Sequence, residues 1–125
     1  MEQYSKAGIK KINEILGEEH AKNAILHFEK LSPDFSKCLV DYVYGMIAPR
    51  SKISGKLREL AIVSNIMGQG SSAFALRTHL KSMLNVGWTK EEVIEIIIEL
   101  TPYNGFPRCI ETLEIFKSVC EESNI

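Results

Sequence analysis

The stretch Thr89-Lys90-Glu91-Glu92-Val93-Ile94-Glu95-Ile96-Ile97-Ile98-Glu99-Leu100 decides the fold class, because its two halves point in different directions. Val93 to Leu100 has the β-branched composition of a strand, yet β propensity is a weak prior that context overrides. Thr89 and Glu92 carry the stronger signal. At this spacing they make a capping box, in which the hydroxyl and the carboxylate reciprocally satisfy backbone donors at a helix start. A helix is therefore predicted from Thr89 onward. Its apolar residues fall on more than one face, so it is expected to be buried centrally or in a subunit contact.

Helical spacing extends outward from this segment in both directions. Upstream, Leu76, His79/Leu80 and Met83/Leu84 form a stripe that Ser71 or Ser72 can cap, and Asn85-Val86-Gly87 supplies a left-handed stop. Before it, Leu57, Leu60, Ala61, Ser64 and Met67 form another stripe ending at Gly68-Gln69-Gly70, preceded by a loop over Ser51 to Gly55. Ser32 is a candidate N-cap with Pro33 at the first helical position, followed by Phe35, Leu39, Tyr42 and Met46, with a stop by Pro49. The stripes Ile9, Ile12, Leu16 and Ala21, Ile25, Phe28 predict two short helices on either side of Gly17. Downstream, Thr101-Pro102-Tyr103-Asn104-Gly105-Phe106-Pro107 is expected to kink or loop before a last helix carrying Ile110, Leu113, Phe116 and Val119. The fold class is all-α, with about six to seven helices in one domain over residues 1–125.

The composition narrows the function classes. The chain has 125 residues, with 15 Lys+Arg against 16 Asp+Glu and a formal net charge of -1, so it has no global cationic field to select nucleic acid or an anionic membrane surface. No apolar run approaches the roughly 20 residues of a membrane-crossing helix. The start Met1-Glu2-Gln3-Tyr4-Ser5-Lys6 lacks the pattern of a secretory signal, making a cytoplasmic location the expectation. Cys38, Cys109 and Cys120 are odd in number and widely spaced, which argues against a disulfide framework or a Cys-x-x-Cys redox centre.

His79 is the most interesting single residue. A half-buried imidazole on an apolar stripe suits proton transfer near neutral pH, although a core histidine bonded to a carbonyl fits the same position. His20 and His27 lie two turns apart, roughly 10 Å along a helix, too far to share a metal ion. Arg58 and Glu59 open a helix, where the dipole favours a glutamate. Gly68-Gln69-Gly70-Ser71-Ser72 follows a helix instead of a strand and lacks the Gly-Lys-Ser/Thr of a phosphate loop, so it reads as a stop plus a cap.

Three segments together resemble the carboxymuconolactone decarboxylase family, within the alkylhydroperoxidase D-like superfamily. They are Tyr44-Gly45 with Leu57-Arg58-Glu59-Leu60; then Leu76-Arg77-Thr78-His79-Leu80 with Leu84-Asn85-Val86-Gly87 and Thr89-Lys90-Glu91-Glu92; then Tyr103-Asn104-Gly105-Phe106-Pro107. The resemblance runs from about Ser32 to Val119. It implies an all-helical subunit that assembles as a homotrimer or homohexamer, with pockets between helices and near subunit contacts. In the peroxidase branch of the superfamily a Cys-x-x-Cys pair stands seven and four residues before the histidine. Here those positions hold Ser72 and Ala75, so the chain sides with the decarboxylase branch, since peroxide reduction needs a thiolate and a resolving thiol.

What the resemblance implies chemically is a lyase without cofactor or metal, acting on a small carboxylated lactone such as 4-carboxymuconolactone. His79 would deliver a proton and Glu59 would orient or share it; Arg58 or Arg77 would bind carboxylate, and Tyr103 would line the pocket. A thiol peroxidase using other cysteines and a non-catalytic ligand-binding oligomer are the alternatives. Three features depart from the family pattern: the Gly68 to Ser72 loop is about one residue longer, Pro102 replaces a helix-compatible residue, and Arg108-Cys109 stand where small residues are usual.

Overall fold

In the computed structural model, which describes residues 1–125, the apolar stripes become seven α-helices and one π-helix, with no strand. The chain divides into two compact units, Met1–Ile53 and Ser54–Ile125.

The first unit contains α1 (Lys6–Leu16), α2 (Glu18–Leu31), α3 (Pro33–Cys38) and the π-helix Leu39–Ile47. Ser5 caps α1 by accepting from the Gly8 amide at 2.9 Å, and Gly17, at φ 83°, lets α1 end and α2 begin within one residue. Ser32 caps α3 with Pro33 behind it, as the sequence predicts. Ile12, Leu16, Ala21, Ile25, Val40 and Tyr44 form the core of this unit. Its buried polar centre is the Tyr4 hydroxyl, which donates to Glu29 at 2.6 Å and shares a 2.8 Å hydrogen bond with Ser36. Burial, and then the Glu29 carboxylate, push the Tyr4 phenol above its ordinary range.

The π-helix is a departure from expectation. Apolar steps of three and four over Phe35 to Met46 predict one continuous α-helix, whereas beyond Cys38 the pattern changes to i→i−5, closed by the Ala48 amide on the Val43 carbonyl at 2.8 Å. Tyr44-Gly45 accordingly lies inside the π-helix. Close approach of two backbones accompanies it. A Cβ on Gly8 would meet the Val40 carbonyl oxygen at 2.6 Å, and one on Gly45 would meet the Ser5 hydroxyl at 2.8 Å. Asp41 ties the crossing together by accepting from the Ser5 amide at 2.7 Å and pairing with Lys37.

The second unit contains α4 (Gly55–Gln69), α5 (Ala73–Asn85), α6 (Lys90–Asn104) and α7 (Phe106–Glu122). The Thr89/Glu92 capping box is formed, with both reciprocal bonds present at 3.1 and 3.0 Å. Its buried face, Val93 and Ile97, meets Val63, Met67, Leu76, Leu80, Met83, Phe116, Val119 and Cys120 in one core. The opposite side of the Ile-rich helix stays open, with Ile98 exposed. Trp88 binds the start of α4 by donating to the Lys56 carbonyl at 2.9 Å, while the Lys56 ammonium lies 4.4 Å from its ring centroid.

Pro102 does not itself end the helix: α6 runs through it to Asn104, and the interruption expected over Thr101 to Pro107 falls at Gly105. Proline forfeits the bond its nitrogen would have made to the Ile98 carbonyl, but in the last turn little helix remains to lose. The Gly105 amide closes that turn on the Thr101 carbonyl at 2.9 Å. No helix is long and apolar enough to cross a membrane.

Candidate active site

The connection between α4 and α5 is only Gly70, Ser71 and Ser72. Gly70, at φ 71°, adopts the left-handed conformation that ends α4. Its amide donates to Met67 and that of Ser71 to Ile66, both at 3.2 Å, which is the Schellman pattern. Ser72 then caps α5 through the Ala75 amide at 3.2 Å. This tight reversal folds α5 back on α4 and brings Glu59 against His79.

The Glu59 carboxylate lies 3.2 Å from His79 Nδ1. Glu59 is 2% exposed, and the His79 side chain 21%. The dipole explanation for a glutamate at this position therefore fails: α4 starts at Gly55, its first turn holds no acidic residue, and Glu59 turns inward. A carboxylate taken out of water needs compensation, and the imidazole supplies it. With an ionised Glu59, Nδ1 must carry the hydrogen that it donates. Nε2 then remains as the working atom, a lone pair in the neutral ring or an acidic N–H in the imidazolium. Such a pair can hold and return one proton in a fixed orientation.

The other sequence-derived candidates fall in different places. Arg58 adjoins Glu59 on α4 and is half-buried. Arg77 is two residues from His79, so the helix turns it to another face. There it donates to the Ser118 hydroxyl at 2.9 Å and pairs with Glu122, both beyond α5 on α7. Tyr103, at the end of α6, is 84% exposed. The structure thus brings Glu59 and His79 together and directs Arg77 into a contact with α7.

Arg108 carries more of the geometry than its place in the sequence suggests. From α7 its guanidinium donates to the Met67 and Ser71 carbonyls at 3.0 Å and to the Ile66 carbonyl at 3.4 Å, while Nη1 pairs with Glu111 at 3.0 Å. The one sequence signal for it is its departure from the family pattern; the carbonyls it reaches lie 37 to 42 residues away. Nearby in the chain, the buried Asn104 Nδ2 has no hydrogen-bond partner. A groove of about 440 Å³ between α6 and α7 is lined by Ile97, Ile98, Thr101, Pro102, Phe106 and Ile110, among others, and is almost wholly apolar.

The cysteines do not assemble a dithiol in this unit. Cys109 and Cys120 are both buried and lie eleven residues apart on α7, about 16 Å along the axis. Burial pushes the Cys120 thiol up, away from the thiolate a peroxidase needs. Ser72 and Ala75, where the peroxidase branch has its pair, are a helix cap and a first-turn residue. No group of three or more His, Cys, Asp or Glu side chains is arranged to hold a metal ion.

The chain is 26% identical over 124 residues to the 4-carboxymuconolactone decarboxylase of Acinetobacter baylyi, covering 99% of this chain and 92% of that protein. It is 27% identical over 106 residues to the nitrosuccinic acid decarboxylase of Metarhizium robertsii, covering 85% and 73%. An uncharacterised 15.0 kDa protein of Paracoccus denitrificans is 31% identical over 117 residues, covering 86% and 87%. Residues 33–118, more than half of the chain and the part that includes Glu59 and His79, match the family model, and the chain belongs to the carboxymuconolactone decarboxylase family.

Proposed function

We propose that this protein is a cofactor-free carboxy-lyase acting on a small carboxylated lactone of the 4-carboxymuconolactone type. The observation that carries the reading is the buried Glu59 carboxylate hydrogen-bonded to His79 Nδ1. In such a lactone the saturated ring carbon bearing the carboxylate adjoins a carbon–carbon double bond that is conjugated with the ring carbonyl. Breaking the C–CO₂ bond sends the electron pair into that carbonyl oxygen as a dienolate, so the substrate is its own electron sink. The oxyanion then collapses and the ring carbon takes a proton. His79 Nε2 delivers that proton, Glu59 holds the ring by Nδ1, and solvent reprotonates the imidazole. Arg58 is the cation nearest in sequence to the pair and binds the remaining carboxylate.

The two decarboxylases that the chain resembles act on a carboxylated lactone and on a nitro-substituted diacid. Both kinds of molecule carry an electron acceptor close to a carboxylate, which widens the substrate class to acids that stabilise their own carbanion. Self-association as a homotrimer or homohexamer belongs to the same proposal. Tyr103, Phe106, Ile98 and Ile110 expose apolar area around the α6/α7 groove, the kind of surface that marks a contact. With a second copy on that face, Tyr103 becomes a lining residue instead of a solvent-facing one.

The test is carbon dioxide release from a panel of small carboxylated lactones and nitro-diacids. His79→Gln and Glu59→Gln are each expected to lower kcat by about 10²- to 10⁴-fold, the range for a positioned acid or base. Turnover unaffected by both substitutions would remove the pair from the chemistry. Absence of turnover on the whole panel, with a ligand still bound near His79, would favour a non-catalytic binding oligomer.

A further inference from the structure

We infer that Arg108 is a positioning residue: from α7 it clamps the closed end of the α4–α5 hairpin, and thereby sets the distance at which Glu59 meets His79. The inference rests on the proton-transfer role proposed for that pair. Arg108 joins the last turn of α4, at Ile66 and Met67, to the start of the connection, at Ser71, through one planar guanidinium. Its remaining donor is held by Glu111 one turn further along α7. Lysine could not reproduce this, because four bonds in fixed directions need the rigid fork of arginine.

The Ile66 and Met67 carbonyls already accept the Schellman bonds from Ser71 and Gly70, so Arg108 is a second donor to each and not the group that makes the turn. Removing it leaves the reversal intact but unties it from α7. Geometry then gives the clamp its leverage. Glu59 lies eight residues before Met67 and His79 eight residues after Ser71. Each functional side chain sits at the end of an arm of about 12 Å, so a change of about 5° in the angle between the helices moves one tip about 1 Å relative to the other. Starting from 3.2 Å, that shift takes Nδ1 and the carboxylate out of hydrogen-bond range.

Other contacts hold α5 to α7 along its length: Arg77 to Ser118 and Glu122, and Lys81 to Ser123 at 3.2 Å. These fix the rotation of α5 on α7. Arg108 touches no residue of α5 and instead holds the end of α4 and the Ser71 carbonyl of the connection to α7, so of the three it alone bears on where the α4 arm lies against the α5 arm fixed by the other two.

The experiment compares Arg108→Ala and Arg108→Lys with the parent chain and with Lys117→Ala, an exposed control on the same helix. Three readouts are taken: helical circular dichroism, kcat and KM separately, and the ¹⁵N and ¹H resonances of the His79 ring, assigned by their loss in His79→Gln. Both Arg108 variants are expected to keep their helicity and KM, to lose the downfield Nδ1–H signal of the Glu59 hydrogen bond, and to lower kcat on the order of a hundredfold. Glu111→Ala, which frees one edge of the guanidinium, is expected to show a weaker version of the same loss and serves if Arg108→Ala does not fold. An unchanged His79 signal and kcat in variants that are merely less stable would overturn the positioning role. If the parent chain itself turns over no substrate, the proposed function fails, and the imidazole resonances alone decide whether Arg108 sets the pair.

Discussion

Replacing His79 by alanine removes the ring that meets a carboxylate only 2% exposed, and the consequence is a stability loss that needs no knowledge of substrate. Taking away the hydrogen-bond partner of a buried carboxylate costs about 3–5 kcal/mol, most of it the penalty of a buried group left unsatisfied. The His79 side chain is 21% exposed, so its removal opens a path for water to Glu59 and places the cost at the low end, about 3 kcal/mol. For a chain of this size that lowers Tm by roughly 10 °C. The informative comparison is Glu59→Met with His79→Ala. Methionine is unbranched and apolar, and with the buried charge gone the double variant is expected to be more stable than His79→Ala by about 2 kcal/mol. Urea unfolding followed by circular dichroism, at one fixed protein concentration, measures His79→Ala, Glu59→Met and the double variant. A His79→Ala chain within about 0.5 kcal/mol of the parent, or a double variant in which the two losses simply add, would refute the reasoning.

Three further outcomes follow from the local geometry. The Lys37 ammonium and then the Ser5 amide hold the Asp41 carboxyl below the usual aspartate range. Its contribution is therefore present above the unfolded pKa and lost as pH falls through the lower folded value, so Asp41→Asn should flatten the loss of amide-exchange protection in α1 below about pH 4. Thr89→Ala is expected to cost about 1 kcal/mol through the lost capping box, while Thr89→Ser stays near the parent in the same unfolding assay. Under native conditions a thiol reagent should modify exposed Cys38 well before buried Cys109 and Cys120, and equal rates at all three would contradict the burial of the α7 thiols.

Helix existence and most helix ends were legible from residues a few positions apart. Ser32-Pro33, Ser72, Gly70 and the Thr89/Glu92 box each act within one turn, and the structure places boundaries at all of them. The π-helix was not legible, because the stripe Phe35, Leu39, Tyr42 and Met46 has the steps of an α-helix, whereas the residues that the wider winding buries are Val40, Tyr44 and Ala48, four apart. The sequence marked an interruption over Thr101 to Pro107 but not the residue at which it falls, Gly105, three positions beyond the proline. A proline penalises the carbonyl four residues back, and the size of that penalty depends on how much helix follows.

Spacing alone offered His79 and Glu59 as separate possibilities, each with an ordinary structural explanation, and only the family resemblance coupled them. Twenty residues separate them, and whether they touch depends on the rotation of α4 and α5 and on the tightness of the Gly70 reversal. Arg77 shows the same dependence in the other direction: two residues from His79, it faces α7 instead of the pair. Caps, stops and apolar stripes are short-range physics, satisfied within a turn of backbone, so the chain's order of residues was enough to specify an all-α fold. Which side chains meet across helices is set by packing between elements, a long-range outcome that periodicity does not encode, and it was packing that set a buried glutamate against a histidine twenty residues away and carried the Arg108 guanidinium to the carbonyls at the end of α4.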